Sequence, residues 1–396
     1  MTEHSTALVV GGGFGGYYAA DALARHHIEV TLVDTRGRQT FQPLLYQAAT
    51  GLMRPADLDY DLNRMSGVRV VPARATTVDL AAKCVSVADH DDLSCDYLVM
   101  ATGASVNFFG VDGAAEHAFP LYTRDDAAAI KARLQQLAQT KETSTIVVVG
   151  AGATGIEVTG AIQDVATHVL PETYPEFRGE QVKIRVIDRA DAPLSSMSTK
   201  SQTYARTQLE DVGVEFHLGR SVTKVTADGV TLDDGSTMSS QLTIWAGGLQ
   251  VRLPDLTPAP PSVRGRIQIE SDLRITGHDN AYAVGDSAAD REAPLPQLGS
   301  VAKQQGHHAA DNIHRQHAGK EPKPFHYRDM GDMAMVRYDA AVVEMGADHH
   351  EVTGKPAFLM WLGLHAYLLP GSHHRRDAIH EWFHEFSTGR SRFLKD

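Results

Sequence analysis

The sequence predicts an α/β fold with two similar parallel-sheet domains, the second inserted into the first, followed by a C-terminal α+β region. Three observations lead to this prediction. A strand, a glycine-rich turn and a helix occur in that order near the N-terminus and again after residue 144. Each copy continues with an apolar strand that ends in an aspartate. Later in each copy, an apolar strand ends in small residues, Ala101-Thr102-Gly103 in the first and Ala246-Gly247-Gly248 in the second. This duplication is the most informative feature of the chain.

In the first copy, a buried strand leads through a glycine-rich turn into a helix that begins at Phe14. The turn has GxGxxG spacing: its first glycine allows the tight turn, its second lets a pyrophosphate approach the backbone, and its third lets helix and strand pack closely. Asp34, at the end of the next strand, is placed to accept hydrogen bonds from an adenosine ribose. The alternative is an ordinary glycine-rich turn, and the correct order of strand, helix and acid argues against it. The three glycines are Gly11, Gly13 and Gly16.

The second copy repeats this device in the middle of the chain. The strand Thr145–Val149 precedes a second GxGxxG, and the strand Val182–Ile187 ends in Asp188. Two such Rossmann-like folds imply two dinucleotides, of which only one needs to stay bound. The glycines of the second turn are Gly150, Gly152 and Gly155.

Composition excludes several kinds of partner and site. The chain has 396 residues and a formal net charge of -12, without a basic stripe, which argues against a nucleic-acid partner. Its two cysteines, Cys84 and Cys95, form no CxxC or CxxxxC. We therefore expect reduced thiols and no disulfide that relays electrons. His380 and His384 lie four residues apart on a predicted helix, but no acid of clear role accompanies them, and we predict no metal site.

Neither a secretory signal nor a membrane span is predicted. Met1 to Thr6 is short and polar, unlike a signal peptide, and no run of about 18 apolar residues is present. We expect a cytoplasmic protein that at most lies at the inner face of the cell membrane.

Three further stretches carry residues that a bound nucleotide would meet. Thr40 to Gly51 is apolar and rich in amides without clean periodicity, which indicates a loop and a short helix over a ligand. Asn280 to Asp286 is a strand ending in Gly-Asp, whose carboxylate is placed to hold a polyol or ribityl hydroxyl. Leu295 to Gly319 is a predicted helix that carries Lys303 and Gln304.

The C-terminal region predicts a hairpin followed by two aromatic helices. The hairpin consists of Asp329–Val336 and Ala340–Met345. Residues 358–386 fit an interfacial helix at a membrane surface, with basic residues at head-group level; the residues that indicate it are Trp361, Leu362, Leu364, Tyr367, Leu368 and Leu369, followed by His373-His374-Arg375-Arg376. The alternatives are that the apolar faces form a contact in a homodimer, which we expect, or pack against the body of the protein. These faces comprise Phe358, Trp361, Leu362, His365 and Leu368 in the first helix, and Ile379, Trp382, Phe383 and Phe386 in the second.

An FAD domain with an inserted NAD(P)H domain is the arrangement of the flavoproteins with two dinucleotide-binding domains, which this chain resembles from its N-terminus to about Gly319. Within that superfamily it is most similar to the type II NADH:quinone oxidoreductase family, over nearly its whole length. The segments that carry the resemblance are 41–51, 155–161, 330–343, 361–365 and 375–382. The resemblance implies an FAD domain at 1–113 and 253–324, an NAD(P)H domain at 114–252 and a C-terminal region at 325–396.

The resemblance assigns roles to the candidate residues. Asp188 favours the free ribose 2'-hydroxyl of NADH, and Arg189 beside it leaves NADPH open. FAD would be held by Gly11, Gly13, Gly16, Asp34, Gln42, Leu44, Tyr46, Ala101, Thr102, Gly103 and Asp286; NADH by Gly150, Gly152, Gly155 and Asp188. The remaining cofactor-binding candidates are Phe14, Thr154, Gly248, Gly285, Val301 and Ala302.

Glu157, Lys303 and Gln304 are the catalytic candidates. Glu157 occupies the place of a family glutamate beside nicotinamide and flavin, which implies that it orients the carboxamide or poises a proton relay. The alternative is that it caps the start of its helix. Ser300 stands where the family has the glutamine expected to line the quinone pocket, and this departure leaves the acceptor open.

The expected function is that of an FAD-dependent oxidoreductase that passes a hydride from NADH to flavin and two electrons on to a quinone, without pumping protons. One alternative is a soluble NAD(P)H-dependent reductase of a small quinone-like or biosynthetic substrate, which Ser300 and the polar last helix favour. A reductase of an electron-carrier protein would call for a basic docking patch, of which the acidic net charge gives no sign. A redox-sensing binding module is a further alternative.

Overall fold

Two five-stranded parallel sheets and the helices that follow their strands form the framework of the fold. The computed structural model describes residues 5–140, 142–174, 176–346 and 350–369. The helices are α1 Phe14–Arg25, α2 Leu45–Thr50, α3 Ala114–His117, α4 Arg124–Gln139, α5 Ala153–Asp164, α6 Leu170–Thr173, α7 Thr199–Glu210, α8 Gly299–His317 and α9 Lys355–Leu368.

The strands are mostly short. They are β1 Thr6–Val10, β2 Glu29–Val33, β3 Arg38–Thr40, β4 Asp59–Asp61, β5 Val68–Val71, β6 Ala75–Asp79, β7 Cys84–Val87, β8 Leu93–Ser94, β9 Tyr97–Met100, β10 Ala104–Val106, β11 Phe119–Pro120, β12 Ser144–Val149, β13 Val182–Asp188, β14 Glu215–Leu218, β15 Val222–Thr226, β16 Gly229–Leu232, β17 Thr237–Ser239, β18 Leu242–Trp245, β19 Leu249–Val251, β20 Asp255–Thr257, β21 Ser262–Val263, β22 Arg266–Ile269, β23 Ala281–Ala283, β24 Ala288–Asp290, β25 Asp332–Arg337, β26 Ala340–Met345 and β27 His350–Gly354.

Two compact units contain these elements. The first unit comprises the described residues up to Thr40 together with Tyr60–Ser105 and Leu249–Arg328; the second comprises Phe41–Asp59, Val106–Gly248 and the described residues from Asp329 on. Each unit holds one of the two glycine-rich turns.

The first unit is built on a five-stranded sheet in the order β23-β9-β1-β2-β5, all of whose pairs are parallel. Strand β1 is buried along almost all its length, which is why its sequence is an unbroken apolar run. Helix α1 follows it and packs against α8. A Cβ at Gly306 would lie 2.3 Å from the carbonyl oxygen of Gly15, so glycine at this position permits the close approach of the two helices.

The second unit repeats the pattern with the order β11-β18-β12-β13-β14, again all parallel. Every residue of β12 is buried, and α5 follows it. Helix α4 begins with a capping box between Thr123 and Asp126, in which each side chain accepts from the other's backbone N–H, an arrangement that stabilises helix starts.

An antiparallel sheet, β25-β26-β27, packs against α5. A Cβ at Gly160 would lie 1.8 Å from the carbonyl oxygen of Val336, so helix and strand approach as closely as glycine allows. Asp164, at the end of α5, accepts from Arg337 Nε at 3.1 Å and from the N–H of Tyr338 at 2.6 Å. Burial raises the pKa of Asp164 although the Arg337 charge opposes this. These contacts bind the hairpin to the helix.

The predicted hairpin is confirmed, but the sequence did not indicate its third strand, β27. The predicted helix over 295–319 is shorter at both ends, because α8 begins at Gly299 and ends at His317. No helix within the described residues is long and apolar enough to cross a membrane. The predicted helix around Trp382 lies outside the described residues.

Helix α9 buries one of its faces within the second unit. Phe358, Trp361, His365 and Leu368 are all buried, whereas Leu359 and Tyr367 are 66% and 55% exposed. Four of the five residues of the predicted shared face therefore pack against the body of the protein, which is one of the three alternatives, and the fifth, Leu362, is half-buried.

Candidate functional site

The first glycine-rich turn forms a cradle, and at two of its three glycines a side chain would have no room. Gly11 has φ +102°, and a Cβ there would lie 2.3 Å from the carbonyl oxygen of Ala101; a Cβ at Gly16 would lie 1.7 Å from that of Gly11. Gly13, in contrast, has no protein atom within 4 Å of a Cβ position. It is also the N-cap of α1 and offers no capping side chain. The N-terminus of α1 therefore faces open space suited to a phosphate.

Asp34 is fixed beside this turn by backbone donors. Its Oδ2 accepts from the N–H of Gly12 at 2.9 Å, and its Oδ1 accepts from the N–H groups of Arg36 and Gly37, both at 2.9 Å. An ionised carboxylate offers about four acceptor sites, so capacity remains for a ribose hydroxyl.

Two polar groups farther along the same unit fit a polyol chain. Asp286 follows Gly285, whose N–H donates to Gln305 Oε1 at 2.7 Å. Burial raises the pKa of the Asp286 carboxyl, with the Arg266 charge opposing the shift. Thr102 Oγ1 is buried and has no hydrogen-bond partner among the described residues. A buried hydroxyl of this kind costs free energy unless a ligand pairs with it, so the residues present fit a flavin dinucleotide.

The second unit repeats the cradle with the same geometry. Gly150 has φ +109°, and Cβ atoms at Gly150 and Gly155 would lie 2.3 Å and 1.9 Å from the carbonyl oxygens of Ala246 and Gly150. Gly152 is the uncapped N-cap of α5. Asp188 accepts from the N–H of Ala151 at 2.6 Å, as Asp34 does in the first unit.

Glu157 lies in the second turn of α5, because the helix begins at Ala153. Its Oε1 accepts from the N–H of Met335 at 3.1 Å and from Trp361 Nε1 at 3.3 Å. It does not cap its helix, so that interpretation is wrong: the side chain reaches the hairpin and α9 instead. Burial raises the pKa of Glu157 to about 8, and the two donors oppose this only in part. The carboxyl group therefore holds a proton at neutral pH.

Trp361, one of the two donors to Glu157, is packed against other aromatic side chains. The imidazole of His365 stacks on the Trp361 ring with centroids 3.9 Å apart, and its Nδ1 lies 2.8 Å from the carbonyl oxygen of Trp361. Burial lowers the pKa of His365 to about 4, so the imidazole is neutral at physiological pH. Tyr46 meets the Trp361 ring edge-on at 6.2 Å. These contacts fix the indole that donates to Glu157.

The other candidates belong to α8 in the first unit. Lys303 Nζ lies 4.7 Å from the centre of the Tyr18 ring. Gln304 donates to the carbonyl oxygen of Arg328 and accepts from its N–H, both at 3.0 Å. Ser300 Oγ lies 3.1 Å from the hydroxyl of Tyr327. Gln304 and Ser300 thus hold the chain that leaves the first unit.

Residues 5–306 match the family described as pyridine nucleotide-disulphide oxidoreductase. A type II NADH:quinone oxidoreductase of Mycobacterium tuberculosis is 31% identical over 97% of this chain and 88% of its own length. This chain belongs to the type II NADH:quinone oxidoreductase family. A second M. tuberculosis protein of that name is 32% identical over 97% of this chain and 87% of its own. The structure of NDH2 from Plasmodium falciparum in complex with NADH superposes with a TM-score of 0.89, 18% identity and coverage of 98% and 99%.

Family membership and the fold class agree with what the sequence predicts. The described residues contain no group of three or more His, Cys, Asp or Glu side chains placed to hold a metal ion. Cys84 and Cys95 are both free, and burial raises the pKa of Cys95 to about 12, so its thiol is protonated and unreactive.

Sequence reasoning missed three residues that shape the sites. Trp361 donates to Glu157, Gln305 holds the Gly-Asp turn, and Asn107 anchors a loop beside the second glycine turn. Trp361 carries part of the family resemblance, and that was the one available signal. The roles of the individual cofactor-binding and catalytic candidates stay predictions.

Proposed function

We propose that this protein oxidises NADH at a bound FAD and delivers the two electrons to a quinone without pumping protons. The observation that carries this proposal is the pair of matched glycine cradles, each ending in an aspartate held by backbone N–H groups. Two dinucleotides need two such cradles. FAD, when bound, supplies the chemistry that accepts and releases two electrons.

The first cradle suits the cofactor that stays bound. The N-terminus of α1 and Gly13 would receive its pyrophosphate, and Asp34 its adenosine ribose. Thr102 and Asp286 would satisfy hydroxyls of the ribityl chain. The second cradle, with Gly152 and Asp188, would receive NADH, which binds and leaves in each turnover.

Glu157, in the second unit, is suited to donating a proton. Its carboxyl is protonated at neutral pH because burial raises its pKa to about 8. Its Oε1 is occupied by Met335 and Trp361, so Oε2 carries the proton that the group can donate. Reduction of a quinone to a quinol consumes two protons as well as two electrons, and a neutral buried acid is suited to supplying one of them.

Quinone is expected to reoxidise the NADH-reduced protein much faster than oxygen does, because the site is proposed to serve a quinone. Stopped-flow absorbance with a short-chain ubiquinone or menaquinone analogue measures this directly. Rapid reduction by NADH followed by reoxidation no faster with quinone than with oxygen would contradict the proposed acceptor.

A soluble reductase of a small quinone-like substrate is the second candidate. The observation that favours it is Ser300, whose short side chain engages Tyr327 at 3.1 Å where the family resemblance implies glutamine. If quinones fail in the stopped-flow experiment while NADH reduces the flavin, this function is preferred.

We also propose that the protein meets a membrane surface through the outer stripe of α9, Leu359, Gly363 and Tyr367. These residues recur every four positions, so they lie along one side of the helix, and the two large ones are exposed. Replacing both Leu359 and Tyr367 with glutamate is expected to reduce co-sedimentation with anionic vesicles several-fold, since charged groups are costly to bury in lipid.

Met345→Glu is the matched control, because Met345 is 37% exposed in the same unit but lies outside the stripe. Unchanged vesicle binding by the double variant would contradict the membrane proposal. Loss of a homodimer in light scattering, with vesicle binding intact, would assign the stripe to the subunit contact instead.

A further inference from the structure

Phe109 is an apolar residue that the fold holds in an exposed and strained position. Its side chain is 53% exposed, and its φ of +52° lies in the left-handed region that bulky residues rarely adopt. The N–H of Phe109 donates to Asn107 Oδ1 at 2.8 Å. Strain of this kind persists only where surrounding contacts enforce it, and it is common at ligand clamps.

Asn107 in turn is fixed to the end of β18. Its N–H donates to the carbonyl oxygen of Gly248 at 3.0 Å, and its own carbonyl oxygen accepts from Trp245 Nε1 at 2.8 Å. A Cβ at Gly248, which has φ +144°, would lie 3.0 Å from the Phe109 ring. The ring therefore packs on Gly248, three residues after the end of β18.

Arg189 completes the arrangement from the end of β13. Its guanidinium carbon lies 5.6 Å from the centre of the Phe109 ring, within the range of a cation–π contact. Asp188 beside it has its Oδ2 and Oδ1 on the N–H groups of Ala151 and Ala190. No acidic side chain among the described residues forms an ion pair with Arg189, so its charge is available to an anion.

The sheet order places this pair across the second glycine turn. Strand β12 lies between β18 and β13, and β12 leads into the turn that contains Gly150 and Gly152. The Phe109 ring touches Gly248, three residues after the end of β18, and the guanidinium directly follows β13. The contact therefore spans the carboxyl end of β12, where the pyrophosphate of a dinucleotide would lie.

We propose that Arg189, supported by the Phe109 ring, binds the charged adenosine diphosphate half of NADH. This inference rests on the proposed NADH oxidation. A guanidinium matches phosphate oxygens with a planar fork of donors and is weakly hydrated. The aromatic platform restricts the side chain before the nucleotide arrives, which reduces the conformational entropy lost on binding.

The test compares NADH with reduced nicotinamide mononucleotide, which lacks the adenosine phosphate half. On the FAD-loaded full chain, Arg189→Gln is expected to raise the apparent Kd for NADH by about 10-fold or more, the size of a lost charge-assisted hydrogen bond. Phe109→Leu is expected to raise it several-fold. The limiting rate of flavin reduction with NADH and all constants with the mononucleotide are expected to stay unchanged.

Arg206→Gln is the matched control, because it removes the same charge from the exposed face of α7, where Arg206 pairs with Glu210. Phe109→Tyr keeps the ring and is expected to behave as the wild type, which guards against a folding defect in Phe109→Leu. Calorimetric binding of ADP-ribose gives a readout without turnover, and the same variants are expected to weaken it equally.

Unchanged affinity of Arg189→Gln for both NADH and ADP-ribose would overturn the proposal, as would an equal loss with the mononucleotide. A wild type that binds ADP-ribose through Arg189 but is not reduced by NADH would instead refute the proposed function and leave the binding role of Arg189 standing.

Discussion

Gly16→Ala is expected to yield a protein without bound FAD. A Cβ at this position would lie 1.7 Å from the carbonyl oxygen of Gly11, which is backbone and cannot rotate away. Relief requires α1 to move off β1, and that displaces the helix N-terminus proposed to receive the pyrophosphate. Gly11 cannot compensate, because its own Cβ position is 2.3 Å from the Ala101 carbonyl oxygen. The flavin absorbance of the purified protein, relative to its protein absorbance, measures the loss.

FAD could be lost because the fold is disturbed or because the phosphate position is blocked, and Gly13→Ala separates these two causes. No protein atom lies within 4 Å of a Cβ at Gly13, so the variant is expected to fold normally and to bind FAD more weakly, since the new methyl group would face the phosphate itself. Thermal unfolding of the two apoproteins should therefore differ, with only Gly16→Ala destabilised. A Gly16→Ala protein with a full complement of FAD would contradict this account of the first turn.

Glu157→Gln is expected to slow reoxidation of the NADH-reduced flavin by quinone by about 100-fold, the usual size of a lost acid–base contribution, while FAD stays bound. Glutamine can still accept from Met335 and Trp361, so the position of the side chain is preserved and the proton is removed. Single-turnover stopped flow measures the rate. An unchanged rate would leave Glu157 with only a structural role.

Glu157→Gln is also expected to change how the free energy of unfolding depends on pH. The folded carboxyl keeps its proton up to about pH 8, whereas the ordinary value is 4.5, so the folded state binds more protons than the unfolded state between these values. The free energy of unfolding of the wild type therefore falls as pH rises through this window, by about 1.4 kcal/mol per unit at most. Glu157→Gln has no carboxyl group at this position, so its free energy of unfolding does not fall in this way. Urea unfolding should show the two proteins alike below pH 4.5 and the variant more stable above pH 8.

The two glycine cradles could be predicted because every determinant is local or follows chain order. Gly11, Gly16 and Asp34 fall within 24 residues, and the strand and helix between them have unambiguous periodicity. The second copy obeys the same rule. Parallel sheets with helical crossovers leave few other ways to connect such elements, so the fold class followed as well.

The surroundings of Glu157 could not be predicted in the same way. Its two donors are 178 and 204 residues away in sequence, and no local pattern specifies such pairings. The capping interpretation of Glu157 was wrong because it considered only the helix to which the residue belongs. Phe109 was missed for a related reason: its left-handed φ depends on Asn107, and Asn107 is held by the distant Gly248 and Trp245.

Helix α5 and strand β25 contact each other at two places, and the distance between these places is about the same along either element. From Glu157 to Asp164 the helix advances by about 10.5 Å, and from Met335 to Tyr338, the residue after β25, the extended chain advances by about 10 Å. The contacts at both ends can therefore form together, and Gly160 touches Val336 midway between them. Neither element can slide along the other without breaking every contact at once. A single residue inserted between Glu157 and Gly160 would rotate the carboxylate by about 100° relative to the hairpin, so this stretch tolerates changes of side chain far better than changes of length.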